Sequence, residues 1–118
     1  MPHFLVSIHH RDDSDAARLE DAAMHREIDV LNEEMIAAGI RVYVGGLHDA
    51  DTARSIRPQA DGTTQVTSGS YLPTDEHIGG LWVLEAADMD EALVWGRKAA
   101  VACRVPVEVR EFHDMPVE

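Results

Sequence analysis

The sequence has very few of the residues that mark secreted or membrane-bound proteins. It contains a single cysteine, Cys103, which excludes an intrachain disulfide and a cysteine-rich zinc site. No apolar run approaches the ~20 residues that cross a bilayer. The amino terminus, MPHFLVSIHH, lacks the basic region and the longer apolar stretch of a signal peptide. These absences predict a cytosolic protein.

Positive charge is also scarce. Ten Lys and Arg residues stand against 22 Asp and Glu, which gives a formal net charge of −12 at pH 7. Such a charge repels both a polyphosphate backbone and anionic lipid head groups. We therefore expect neither a nucleic-acid partner nor a membrane partner, although the same acidity equally serves plain solubility.

The length favours one domain with one core. A chain of 118 residues falls within the ~100–200 residues of a usual domain, and its 45 % hydrophobic content is ordinary for a globular protein. We predict a single domain over residues 1–113 and a frayed tail over 114–118.

The first half of the chain reads as strand, helix and strand. Alternating apolar residues predict strands over His3–His10 and Ile40–Leu47. Between them, apolar residues recur at helical spacing and predict a helix over 16–38, capped by Asp13 or Ser14. Its apolar stripe consists of Met24, Ile28, Leu31 and Met35.

The second half begins with a hairpin around the Asp61-Gly62 turn and then repeats the strand–helix–strand order. The apolar run Gly80–Ala86 predicts a strand, and Asp88 is the predicted N-cap of a second helix. Val105–Phe112 alternates again and predicts the last strand.

This order predicts an α+β fold: a ferredoxin-like βαββαβ sandwich with a hairpin insertion and two helices on one face of an antiparallel sheet. The other face would carry Leu5 and Tyr43. It would also carry either Leu81 and Val83 or Trp82 and Leu84, depending on register. A sheet that is apolar on both faces needs a second cover, and a second copy supplies it. We expect a homodimer and leave a higher oligomer open.

Two histidine positions are candidates for acid–base chemistry. His9 lies at the rim where a cleft would open, on the face opposite Phe4, and could act as a general base near neutral pH; it could equally be a solvated strand-end residue. His25 and Asp29 are spaced i, i+4 on the first helix, which suits either a base with its orienting carboxylate or a surface salt bridge.

The loop sequence Asp75-Glu76-His77 offers two carboxylates and an imidazole. Glu76 is its candidate catalytic residue. Even with His9, His48 or Asp49 nearby, the spacing matches no known metal motif. We therefore predict no metal and no cofactor.

The candidate ligand-binding residues are a tyrosine and two arginines on the predicted non-helical sheet face, together with a loop aromatic. They are Arg41, Tyr43, Arg110 and Tyr71. A half-apolar cavity with these groups would suit a small anionic or aromatic ligand. The alternative is an interfacial ion pair beside a packing tyrosine. The glycine pairs Gly45-Gly46 and Gly79-Gly80 open no helix, so they indicate bulges or close strand approach rather than a phosphate loop.

Several stretches in order resemble the YCII-related family, and in particular its DGPF-domain branch. They cover nearly the whole chain to about Phe112 and read EEMIAAGIRVYVGGL, ARSIR and VTSGSYLPTDEHIGGLWVLEAADMDEALVWG. The Asp-Gly-Pro-Phe motif of that branch corresponds here to Ser68-Gly69-Ser70-Tyr71, and the helix histidine of YciI-like relatives falls on Ile28. These departures put the family's motif and its histidine in question for this chain.

The resemblance implies a dimer of the dimeric α+β barrel type with a cleft between the sheet and the partner. It also implies one of two functions. The first is a module that binds a small organic ligand near the dimer interface, in the regulatory setting suggested by relatives encoded beside alternative sigma factors. The second is a cofactor-free lyase-like or isomerase-like enzyme for a small aromatic or halogenated compound, with His9 or Glu76 moving the proton.

Overall fold

The computed structural model describes residues 1–12 and 22–113. The predicted cap at Asp13 or Ser14, the predicted helix residues 16–21 and the predicted tail lie outside the described residues. The elements within them are β1 (His3–Arg11), α1 (Ala22–Ala37), β2 (Arg41–Gly46), a 3-10 helix (Ala50–Thr52), β3 (Arg54–Pro58), β4 (Thr64–Ser68), β5 (Glu76–Glu85), α2 (Met89–Cys103) and β6 (Val107–Glu111).

Four of the strands form one antiparallel sheet in the order β2-β5-β1-β6, and β3 and β4 pair as a separate hairpin. This order places the two inner strands, β1 and β5, next to each other although a helix and a hairpin separate them in sequence. Both helices pack on the same face of the sheet, α2 against β1 and β6 and α1 against β2. The predicted ferredoxin-like α+β architecture with a hairpin insertion is confirmed.

The strand register assigns each face of the sheet. Phe4, Val6 and Ile8 of β1 are buried on the helix side, as are Trp82 and Leu84 of β5. The residues between them point to the opposite side, which we call the open face. There Leu5 pairs with Val83 and Ser7 pairs with Leu81. The open face therefore carries Leu81 and Val83, which resolves the alternative that the sequence left open.

One buried side-chain network ties α1 to the sheet. The indole Nε1 of Trp82 donates to Oδ1 of Asn32 at 2.9 Å, and Nη1 of Arg41 donates to the same oxygen at 3.2 Å. The Asn32 amide in turn donates to the carbonyl of Ile28 at 3.1 Å. A buried indole N–H without a partner would be costly, so Asn32 lets a large polar aromatic fill the core.

Strand β5 begins at Glu76, four residues before the predicted start at Gly80. The prediction was wrong because β1 continues to Arg11, which pairs with Glu76 and recruits the preceding loop residues into the sheet. The register between β1 and β5 shifts between Ile8 and His9 and leaves Gly79 unpaired. This irregularity is one of the two alternatives, a bulge or a close strand approach, expected at Gly79-Gly80. A Cβ on Gly79 would overlap the imidazole of His10, so a larger residue at this position would require that ring to move.

Helix α2 starts as predicted. The Asp88 side chain accepts a hydrogen bond from the backbone N–H of Glu91 at 2.9 Å and so caps the first turn. None of the helices in the described part of the chain is long and apolar enough to cross a membrane.

Candidate functional site

A cavity of about 580 Å³ opens at the end of the sheet where β1 finishes and β5 begins. Its walls come from the two strands, from the 3-10 helix after β2 and from the loop between β4 and β5. The lining residues are His9, Leu47, His48, Asp49, Ala50, Thr52, Ala53, Ser70, Tyr71, Leu72, Thr74, Glu76, His77 and Ile78. This volume suits a small organic molecule.

Strand β1 contributes His9, whose ring lies against a buried serine. Nε2 of His9 lies 3.0 Å from Oγ of Ser7, a residue that is 2 % exposed. Either atom can be the donor, according to the tautomer of the ring. The Ser7 hydroxyl also lies 3.4 Å from the carbonyl of Glu108. Ser7 therefore holds the imidazole of His9 in position beside the cavity.

The loop wall of the cavity is fastened by His77. Its Nδ1 lies 2.7 Å from Oδ1 of Asp12, and its Nε2 lies 3.1 Å from the carbonyl of Leu72 and 3.3 Å from the Thr74 hydroxyl. Thr74 donates its own proton to the carbonyl of Glu76 at 2.8 Å. Both ring nitrogens thus face acceptors, a pattern that only the doubly protonated imidazolium satisfies.

This arrangement raises the pKa of His77 above its ordinary value, first through the hydrogen bond to Asp12 and then through the Leu72 carbonyl. A group whose pKa is higher in the folded state stabilises the fold fully below its unfolded pKa of about 6.5. That contribution is lost as the pH rises through the folded pKa. The loop should therefore loosen as the pH rises through the raised pKa of His77.

We predict that NMR titration of the ring protons will place the His77 midpoint above the value of an unfolded histidine. Asp12→Asn removes the largest cause and should move that midpoint down toward the unfolded value. The control is Asp75→Asn. Asp75 is a neighbouring carboxylate that forms no hydrogen bond with the His77 ring, so this change should leave the midpoint of His77 in place. An unchanged midpoint in Asp12→Asn would contradict the hydrogen-bond assignment.

The hairpin holds the opposite wall through short backbone contacts. Gly69 donates to the carbonyl of Ala53 at 2.8 Å, and Ser55 Oγ donates to the carbonyl of Gly69 at 2.7 Å. Gly69 has a φ of 98°, a region that side-chain-bearing residues rarely adopt. The Arg57 guanidinium lies 4.9 Å from the centre of the Tyr71 ring. These contacts place Tyr71 at the mouth of the cavity.

The sequence-predicted residues divide into two groups. His9, Glu76 and Tyr71 all line the cavity, although each comes from a different segment. His25 and Asp29 are exposed on α1, away from it. Their predicted catalytic roles, like those of His9 and Glu76, stay predictions.

The three other predicted ligand-binding residues lie outside the cavity. Tyr43 and Arg110 are on the open face, paired with Val83 and Leu5. The placement of Arg41 on that face was wrong: the register shift between Arg41 and Tyr43 turns the guanidinium to the helix side, where it bonds Asn32. The predicted roles of all three in ligand binding stay predictions.

Sequence reasoning missed Ser7 and Asp12. Ser7 forms a hydrogen bond with His9 and Asp12 forms one with His77, yet neither belongs to a motif. The signal for Ser7 was a hydroxyl two residues before a histidine on a strand, because residues i and i+2 share a face. The contact between Asp12 and His77 spans 65 positions and leaves no local trace.

A larger groove of about 710 Å³ lies between the outer surfaces of α1 and α2. The Lys98–Glu34 ion pair joins its two sides at 2.8 Å, and Arg26, Glu27 and Arg97 also line it. Long charged side chains on exposed helix faces make such grooves routinely. It contains none of the candidate histidines or tyrosines.

Within residues 1–12 and 22–113, no group of three or more His, Cys, Asp or Glu side chains is placed to hold a metal ion. The three cavity histidines and two cavity carboxylates therefore do not converge on one point.

The fold and the site together define a ferredoxin-like α+β protein whose sheet carries, at one end, a largely apolar cavity that also contains histidines. The model of the YCII-related domain matches residues 3–114. The chain therefore belongs to the YCII-related family, which confirms the family prediction. No curated protein matches it.

Proposed function

We propose that this protein binds a small organic ligand in the cavity that His9, Tyr71 and Glu76 line. The observation that supports this most is the convergence of three segments on one cavity of about 580 Å³, with apolar walls and a few polar groups. Such a combination is typical of small-molecule sites. A binding role also fits the regulatory setting that the family resemblance suggests.

We also propose that the protein works as a homodimer in the cytosol. Leu5, Leu81 and Val83 are only half-buried on the open face, and Tyr43 is 60 % exposed. A second copy packed on this face would cover them and would bring a partner surface near the cavity.

A cofactor-free lyase-like or isomerase-like reaction is the second candidate, and the position of His9 in the cavity wall supports it. The imidazole of His9 is held by Ser7 and could take a proton from a bound compound. Glu76 lines the same cavity and could return that proton. A single substrate-binding site would then serve both functions.

A thermal-shift screen of small aromatic and aliphatic compounds tests the binding proposal. A true ligand at ten times its Kd should raise the melting temperature by about 5 °C. His9→Ala and Tyr71→Ala should each weaken binding by about tenfold, since each removes a wall contact or a polar contact. Following the same compounds by mass spectrometry separates binding from turnover.

His113→Ala is the matched control, because His113 is exposed beyond β6 and away from the cavity. It should bind as the unchanged protein does. Ligands whose affinity survives both His9→Ala and Tyr71→Ala would place the binding site elsewhere and overturn the proposal. Product formation that disappears in His9→Ala while binding persists would establish the enzyme alternative.

A further inference from the structure

The β3–β4 hairpin projects from the body of the protein. Among the described elements, its two strands pack extensively only on each other. Every residue of β3 and β4 is exposed except Ser55 and Thr67, which face each other near the base of the hairpin. Beyond that base, the hairpin therefore meets solvent on both of its faces.

The overall dimensions agree with such a projection. The Cα radius of gyration is 16.4 Å, and the principal extents are 50 × 41 × 20 Å. A compact chain of this length has a radius of gyration of about 13 Å. A two-stranded hairpin is only marginally stable in water unless a third strand or another element packs on it. The hairpin thus has the shape of an arm that needs a covering surface.

The free end of the hairpin is held by its own hydrogen bonds. Oδ1 of Asp61 accepts from the backbone N–H of Thr63 at 3.0 Å and from its hydroxyl at 2.6 Å. The backbone N–H of Gln59 donates to the carbonyl of Thr63 at 2.7 Å. A hairpin that is fixed before it binds loses little conformational entropy on binding. The turn therefore suits a surface that docks as a rigid unit.

One face of the hairpin is apolar at its centre. Ile56 and Val66 are paired across the two strands and are 61 % and 60 % exposed. The opposite face carries Arg57 beside Gln65. Ile56 and Val66 thus form an exposed apolar pair, which we call the arm pair.

The charge of the hairpin is opposite in sign to that of the whole chain. Residues 54–68 contain Arg54, Arg57 and one acid, Asp61, whereas the chain as a whole carries −12. Within the described part of the chain, neither arginine forms an ion pair. A positively charged arm on an acidic protein is complementary in charge to the surface of a second copy.

An interface made of the open face alone would be small. The sheet has four strands about 4.8 Å apart, with paired stretches of five to nine residues, which gives roughly 400 Å² of flat face. A stable interface buries about 800 Å² on each partner. One hairpin face offers roughly 160 Å², and in a two-fold pair each protomer also buries an equal area beneath its partner's arm. The two arms would supply most of the missing area.

We infer that the β3–β4 hairpin is a dimerisation arm whose Ile56 and Val66 pack on a second copy of the chain, beside the open-face contact. This inference rests on the homodimer proposed above and adds to it a surface outside the four-stranded sheet. The residues that flank the hairpin, Ala53 and Ser70, line the cavity. An arm held by the partner therefore also holds that wall of the cavity in place.

The double variant Ile56→Thr and Val66→Thr tests the arm pair. It removes the apolar contacts but keeps β-branched side chains, which suit a strand. The dissociation constant of the dimer should rise about a hundredfold, because both arms change at once. Sedimentation equilibrium measures that constant. An unchanged amide chemical shift of Gln59, whose N–H bonds within the turn, verifies that the hairpin still folds.

The chain supplies a matched control on α2. Val94 and Val101 are 46 % and 74 % exposed in the helical layer, away from the hairpin and the open face. Val94→Thr and Val101→Thr together make the same chemical change there. This control should leave the dissociation constant of the dimer as it is in the unchanged protein.

A second measurement locates the arm without altering the arm pair. A nitroxide label on Ala60→Cys marks the exposed tip, and the native Cys103 is buried and leaves the new thiol as the reactive one. In a mixture with ¹⁵N-labelled unmodified protein, any broadened amide signal belongs to the other copy. The label at the tip should broaden amides of the partner, whereas a label on Val94→Cys should not.

The outcomes separate the arm from the dimer. If the unchanged protein is a monomer at micromolar concentration, the dimer and the arm both fall. If a dimer forms but its dissociation constant is the same in the two double variants, or the label on Ala60→Cys broadens no partner amide, the arm is overturned and the dimer stands. An equal loss of affinity in both double variants would also overturn it, because the effect would not depend on position.

Discussion

Val83→Glu should convert the proposed dimer to a monomer. Val83 lies on β5 between Leu5 of β1 and Tyr43 of β2, so these three residues form a row across the open face. In the proposed dimer this row is buried against its copy. A carboxylate there would be desolvated in both protomers, in the middle of an apolar row. We expect dimer affinity to fall at least about a thousandfold, or about 4 kcal/mol.

Light scattering at micromolar concentration measures this result directly, because it distinguishes a protomer of 13.0 kDa from a dimer of twice that mass. Val94→Glu is the matched control. Val94 is 46 % exposed on α2, in the layer on the other side of the sheet, and it should leave the dimer intact. An unchanged protein that is already monomeric, or a Val83→Glu variant that remains dimeric, would exclude the open face as the interface.

The ligand cavity gives the dimer test a second use. If the partner contributes to the cavity, ligand affinity should fall together with the dimer in Val83→Glu. If the cavity is complete within one protomer, the monomeric variant should retain binding. Either result would show whether ligand binding and dimerisation are coupled. A regulatory role would require that coupling.

Trp82→Ala should cost about 4 kcal/mol of the free energy of unfolding. Trp82 is 1 % exposed at the centre of β5, packed beneath both helices. Removing the indole leaves a large cavity and also frees Oδ1 of Asn32 from one of its two donors. For a domain that is marginally stable overall, this loss approaches the total.

Urea denaturation at one fixed protein concentration measures the change, because dimerisation would otherwise couple stability to concentration. Trp95→Ala is the control with the same chemical change. Trp95 is half-buried on α2 and lies under Lys98 at 5.0 Å, so its loss should cost only about 1–2 kcal/mol. Equal costs at the two positions would contradict the central role of Trp82.

Most of the secondary structure could be predicted, because each helix and strand has a local periodic signal. The N-cap of α2 at Asp88 and the hairpin turn at Gly62 depend on contacts between residues that are close in sequence. Both occur as expected. The start of β5 could not be predicted in this way. Whether Glu76 to Gly79 joins the sheet depends on how far β1 extends beside it, and the two segments are 65 or more residues apart in sequence.

The lining of the cavity was predictable only in part. His9 and Glu76, which both line it, were candidates because strand ends and acidic loops are common places for chemistry. Arg41 was misplaced because a single irregularity in pairing reverses which face a strand residue occupies. Such an irregularity comes from the neighbouring strand, and it has no signature in the sequence of β2 itself.

The sequence by itself determined the fold class, the family, the order of the elements and the acidity of the chain, since these follow from periodicity, motif order and composition. The tertiary structure decided which face each strand residue occupies, which side chains share the cavity, and that no described arginine or lysine lines it. It also decided that the hydrogen bond to Asp12 raises the pKa of His77. These properties depend on contacts between residues far apart in the chain, which only the packed sheet brings together.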